Sequence, residues 1–258
     1  MPLFSLFASR PFVRGFLPRF LTVLLSVPSV QAASLTISPI GIDLPSPQRA
    51  ASMTIANRGA EPVNLQLRVF RWTQVDGQDV LEPARDMLVS PPAATVAPGS
   101  SYTVRVARLD DAPVTGERSY RLFVDELPPA RRQASGTAGV SILLRTSMPV
   151  FVAGGKLAPR LAWRAWMGED GLHAEVANSG TRHVKLAGLT ARPERGEPLT
   201  LGAGLNGYVL AGASRRFHFK LDAAKARELG AQWAGSTVTL SATDDNEPVE
   251  AVVHVDAR

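Results

Sequence analysis

The chain has 258 residues, 28 Lys and Arg against 23 Asp and Glu, a formal net charge of +5, and no cysteine. Residues 1–33 carry three arginines and no acid, so the remainder holds 25 basic and 23 acidic residues, or +2. With the arginines scattered, this is a poor footprint for nucleic acid, which calls for a clustered basic face. The missing cysteines exclude disulfides and a thiol nucleophile. The 21 glycines and 20 prolines suit a turn-rich, all-β chain.

The N-terminus reads as a secretory signal peptide over residues 1–33. Arg10, Arg14 and Arg19 make a positive start, residues 20–27 are mostly apolar, and Val30-Gln31-Ala32 is a small-x-Ala cleavage signal. The apolar run is too short for a bilayer span, and Pro18 and Pro28 flank it. No later stretch is long and apolar enough either. The expected product is exported, with no stable membrane insertion.

About 225 residues then remain, enough for two domains of roughly 100 each. Strands are expected at 35–37, 40–44 and 52–56, the last running into the turn Asn57-Arg58-Gly59. Val63, Leu65, Leu67 and Val69 alternate with Asn64, Gln66 and Arg68, as in a half-buried antiparallel strand. Phe70 and Trp72 extend it past an expected bulge. The turn Ala97-Pro98-Gly99-Ser100 leads into alternating Tyr102, Val104 and Val106, and a strand over 120–127 stops at Pro128-Pro129. The stretch to Gly139 reads as a loop. Over 139–151, Val140, Ile142, Leu144, Met148 and Val150 share one face of an extended strand. Either this face belongs to the protein's own core or it touches something else. About seven strands in this half suggest an immunoglobulin-like sandwich.

The second half repeats the outline. Asn57-x-Gly59-x-x-x-Val63 matches Asn178-x-Gly180-x-x-x-Val184, and Val96-x-x-Gly99 matches Val209-x-x-Gly212. The shared order argues for two sandwiches in tandem, at 34–152 and 153–258, with a hinge at Gly154-Gly155-Lys156. One helix is expected from Asp222, a candidate N-cap, to Leu229.

Catalytic signatures are absent. Gly202-x-Gly204-x-x-Gly207 spells a dinucleotide fingerprint, but strand and turn residues follow where the motif needs a helix. His173, His183, His218 and His254 lack metal-ligand spacing and read as surface or strand residues, so no metal or other cofactor is expected. Residues 244–247 read as a solvated turn. No serine elbow occurs. The expectation is a binding protein, not an enzyme.

Three segments of the first half resemble the periplasmic chaperones of the chaperone–usher pilus pathway. Residues 90–105 carry Pro91-Pro92, Pro98-Gly99 and Val104-Arg105. Residues 117–129 carry Glu117, Phe123 and Glu126-Leu127-Pro128-Pro129. Residues 139–151 fall where that family has the last strand of its first domain. The second half is similar more weakly, through Glu175 to Gly180 and Val184. Tyr120 to Pro128 and Met148 to Phe151 are similar to the archaic, spore-coat-U-type branch.

The resemblance implies two immunoglobulin-like domains in a boomerang arrangement. It also implies donor-strand complementation, in which incomplete pilus (fimbrial) subunits borrow a strand before delivery to an outer-membrane usher. Val140, Ile142 and Leu144 match the donor positions, and burying each would contribute about 1.5–3 kcal/mol before ordering costs. Family members anchor the subunit's terminal carboxylate with an Arg on the first strand and a Lys near the end of the donor strand. Gly41 and Pro149 stand at those positions here. The replacement cation is sought at Arg121, then Lys156, then Arg145. An exported adhesive or carbohydrate-binding sandwich is the competing expectation.

Overall fold

The computed structural model describes residues 35–128 and 142–257. The signal-peptide expectation, Val140 and most of the loop before it lie outside the described residues. No helix among the described residues is long and apolar enough to cross a membrane.

The first sandwich is built from β1 (Leu35–Ser38), β2 (Ile42–Pro45), β3 (Ala50–Asn57), β4 (Val63–Val75), β5 (Gln78–Pro83), β6 (Met87–Ser90), β7 (Ala93–Val96), β8 (Ser101–Arg108), β9 (Gly116–Leu127) and β10 (Arg145–Gly154). One sheet has the order β1-β3-β8-β6; the other is β2-β10-β9-β4-β5, with β7 also on β4. Their facing sides close a core that includes Leu44, Ile55, Leu65, Val104, Leu122 and Val150, all buried. The alternation of each strand delivers those side chains, because successive residues point to opposite faces.

The sequence signalled seven strands here and the structure has ten. The three extra are β5, β6 and β7. Every residue of β5 is exposed, so no apolar alternation marks it. No bulge separates Val69 from Trp72. β4 pairs with β9 in unbroken register from Asn64↔Leu127 to Arg71↔Tyr120. Leu65 and Leu67 enter the core, while Phe70 and Trp72 lie on the opposite face of the same straight strand. Trp72 is nonetheless buried, because it packs against the second sandwich.

The second sandwich comprises β11 (Leu161–Gly168), β12 (Gly171–Asn178), β13 (Val184–Pro193), β14 (Leu199–Thr200), β15 (Leu205–Val209), β16 (Ser214–Lys220), β17 (Thr237–Asp244) and β18 (Glu247–Ala257), with helix α1 (Ala223–Trp233) between β16 and β17. β18 joins its two sheets, pairing with β17 along most of its length and with β11 at its end. Asp222 caps α1 by accepting from the Lys225 amide at 2.9 Å. The helix runs four residues past Leu229 and buries Leu229 and Trp233 in the core. The Gly202–Gly207 stretch leads into β15, not a helix. Asp245 and Asn246, both at positive φ, turn β17 into β18.

The internal repeat is real at the level of single hydrogen bonds. Asn57 donates to Glu61 O at 2.7 Å and Val96 O at 3.0 Å, and accepts from the Gly59 amide at 2.9 Å. Asn178 donates to Arg182 O at 2.7 Å and Val209 O at 3.2 Å, and accepts from the Gly180 amide at 3.0 Å. Both asparagines are fully buried, so each bond satisfies a group that would otherwise lose its water unpaired.

Candidate functional site

β10 is the element on which the site is built. It pairs antiparallel with β9 from Arg145↔Asp125 to Gly154↔Gly116. On its other side β2 covers only Val150 to Ala153, running parallel. Among the described residues, no strand pairs with Arg145 to Pro149 on that side. An uncovered strand edge presents unpaired N–H and C=O groups, a template for another chain.

The inward-facing series along β10 changes character at this open end. Met148, Val150 and Val152 are buried in the core, at 2%, 0% and 0% exposure. Ile142 and Leu144 have the same parity but lie before the strand begins, at 78% and 39% exposure. The expected strand therefore starts at Arg145 and not at Gly139. Its greasy face is divided between the core and the solvent. The Leu144 carbonyl still accepts from the Glu126 amide at 2.9 Å, so β9 steers the exposed pair.

Asp125 clamps this end. It is buried, accepts from Arg68 at 2.6 Å and is also ion-paired with Arg145. Burial acts to raise its carboxyl pKa, but the two arginines outweigh that and hold it below the usual value. Arg145 is thus committed to Asp125, which in turn raises its own pKa. Lys156 is exposed and makes no ion pair among the described residues.

Arg121 lies directly opposite Pro149. Pro149 in turn touches Gly41, where an added Cβ would meet the proline ring at 3.3 Å. The Arg121 guanidinium sits 3.7 Å over the Trp72 ring and 5.2 Å from that of Tyr208. It has no hydrogen bond or ion pair among the described residues, and burial pushes its pKa down. The indole N–H of that Trp72 ring is buried and has no acceptor among the described residues.

This position is the junction of the two sandwiches. Trp72 and Phe151 from the first pack with Tyr208 and Leu210 from the second. Gln74 donates to Tyr208 O at 2.9 Å and accepts from the Leu210 amide at 3.0 Å. Glu117 accepts from the backbone and the ring of His183, at 2.9 and 2.8 Å. His183 stacks on Phe151 with ring centroids 3.5 Å apart. It is therefore neither a surface nor a strand residue. Trp72, Glu117, Tyr208 and His183 were not legible as junction residues, because nothing local marks which outward-facing side chain meets a second domain.

Residues 34–157 match the family model for pili and flagellar-assembly chaperones, PapD N-terminal domain. Among solved structures, a chain of the CsuC-CsuE chaperone-tip adhesion subunit pre-assembly complex from archaic chaperone-usher Csu pili of Acinetobacter baumannii aligns at 22% identity and TM-score 0.64, covering 86% of this chain and 99% of that one. The Pseudomonas aeruginosa CupB2 chaperone aligns at 17% identity and TM-score 0.54, covering 85% and 100%. A chain of the Salmonella enterica SafA pilin–SafB chaperone complex aligns at 15% identity and TM-score 0.58, covering 87% and 98%. Among curated proteins none matches.

Proposed function

Through residues 34–157 the chain belongs to the pili and flagellar-assembly chaperone family, and we propose on that premise that it captures incomplete pilus subunits by lending them the open edge of β10. The supporting observation is the split of one strand face: Met148, Val150 and Val152 are buried, while Ile142 and Leu144 are exposed beside an unpaired edge. A strand lent in this way gives main-chain hydrogen bonds that tolerate many partner sequences, and alternate side chains that fill pockets. Val140 extends the same series by parity. We assign the capture step to residues 34–152 and treat 153–258 as the second domain.

Arg121 is the proposed anchor for a subunit's terminal carboxylate. A desolvated guanidinium that makes no hydrogen bond or ion pair among the described residues, with only the longer-range charge of Asp79 opposing its burial, gains from a carboxylate that pairs with it. Arg145 is a weaker candidate, because Asp125 already neutralises it. Lys156 is weaker too, because a fully hydrated ammonium must be stripped of water. We further propose that residues 1–33 direct export to the periplasm, that the chain lies in the archaic branch, and that an outer-membrane usher receives the captured subunit.

The test is co-expression with candidate pilus subunits. A soluble one-to-one complex, formed only with subunits that lack a strand, supports the reading. Failure to keep any such subunit soluble refutes it.

A further inference from the structure

Away from the open edge, the second sandwich brings His218 to Asp170 and His173, which lie three residues apart in the chain. β11 and β12 form a hairpin closed by Gly168↔Gly171, with Asp170 in the turn. His173 on β12 lies directly opposite His218 on β16. Both Nε2 atoms converge on Asp170: His173 at 2.9 Å from Oδ1, and His218 at 3.0 Å from the backbone carbonyl oxygen and 3.3 Å from Oδ2. One candidate ligand atom from each residue lies within 4.8 Å of the others. Gly168 makes the convergence possible, because a Cβ there would stand 2.8 Å from His173 Nε2.

We propose that Asp170, His173 and His218 form a binding site for a divalent transition-metal ion, zinc in the first instance. Two imidazoles and one carboxylate suit Zn²⁺, Cu²⁺ or Ni²⁺, whereas Mg²⁺ and Ca²⁺ favour all-oxygen sites. A tetrahedral zinc with arms of about 2.0–2.2 Å holds its ligand atoms about 3.3–3.5 Å apart. The nitrogen–oxygen separations, 2.9 and 3.3 Å to the two oxygens of Asp170, and the 4.8 Å that bounds the whole set are of the order of that span. The two imidazole rings are stacked 5° from parallel with centroids 4.3 Å apart. One ring must turn out of the stack for both lone pairs to meet the ion. Their side chains are 23% and 35% exposed, which leaves room on the solvent side. Water completes the shell. Bound there, the ion would tie the β11–β12 hairpin to β16. The sequence hid this site because His173 and His218 meet across strands, outside any local spacing rule.

The stack supplies a reporter. Trp166 lies on the other face of His173, with centroids 5.4 Å apart and rings 6° from parallel. Titrating the untagged, metal-stripped chain with ZnCl₂ by calorimetry should give one saturable site. CuCl₂ should quench part of the tryptophan fluorescence at the same stoichiometry. Zinc should also raise the melting temperature by a few degrees in a concentration-dependent way. His218→Gln and Asp170→Asn should each weaken zinc binding at least tenfold, and His254→Gln should leave it unchanged. Should His173→Gln misfold through loss of the stack, His218→Gln and Asp170→Asn decide the question. No saturable site in the parent chain, or parental binding in the His173→Gln/His218→Gln double variant, overturns the proposal.

Discussion

Replacing Ile142 with Asp separates a lent strand from an ordinary core strand. The side chain is 78% exposed in the free protein. A substitution at such a position changes stability by about 0.5 kcal/mol or less, so the variant should melt with the parent. Capture is another matter. Burying an isoleucine in a subunit groove contributes about 1.5–3 kcal/mol. At about 1.4 kcal/mol per tenfold in affinity, losing it weakens binding roughly ten- to a hundredfold. Forcing an unpaired carboxylate into the same apolar groove adds a further penalty. The assay is the yield of soluble chaperone–subunit complex on co-expression, beside a thermal melt of the purified variant. A parental yield of complex refutes the assignment of Ile142 to the lent face. A variant that unfolds at markedly lower temperature refutes its solvent-exposed role and returns it to the core.

Arg121→Gln should leave the fold nearly as stable as before, because the lost ring contact, about 0.5–2 kcal/mol, is offset by relief of a desolvated charge. It should nevertheless cut capture by tenfold or more, the scale of a charged hydrogen bond at about 1.5–3 kcal/mol; unchanged complex yield would remove Arg121 as the anchor. Acid should weaken the clamp at the open end of β10. The Asp125 carboxyl sits below its ordinary value in the folded state, so the folded protein favours its ionised form more than the unfolded chain does. That contribution to stability is complete above about pH 3.9 and is lost as pH falls through the lower folded value. Urea midpoints measured across this range should therefore fall less steeply for Asp125→Asn than for the parent, and parallel acid limbs would show that the clamp contributes nothing.

What could be read from sequence was what repeats locally. Leu65 and Leu67 announce their strand by alternation, Asp222 announces its helix by a cap, and the Asn57 and Asn178 patterns announce two copies of one turn. Each signal is short-range, and each appears in the structure at or near the expected residue. Signals that depend on a partner surface were silent. Nothing in the order of residues shows that Trp72 is buried on the outward face of β4, since period-two alternation defines two faces without saying what covers them. The same blindness hid the Glu117–His183 contact between sandwiches and the meeting of His173 with His218. The division of the 139–151 face falls between these cases: its alternation was visible, but neither the point where core gives way to solvent, between Met148 and Thr146, nor the reach of β2 along the edge of β10 is marked in the order of residues.

That reach also fixes which part of β10 can be lent, and a proline placed there tests it directly. Leu144 stands opposite Glu126 and its carbonyl bonds to that residue's amide. In an antiparallel pair the bonding direction alternates, so even-numbered residues of β10 face β9 and odd-numbered ones face the open edge. Arg145 and Ser147 therefore offer both an N–H and a C=O outward, and Pro149 offers only a carbonyl. A partner strand can hydrogen-bond up to Ser147 and must stop at Pro149, where Gly41 closes in and Arg121 stands opposite on β9. Edge positions tolerate proline where its missing N–H points outward, so Ser147→Pro should fold while losing an outward donor that capture needs. Thr146→Pro, whose N–H faces β9, should lose a ladder bond and destabilise the sandwich itself. If Ser147→Pro captures subunits as well as the parent does, the open edge of β10 is not the surface that is lent.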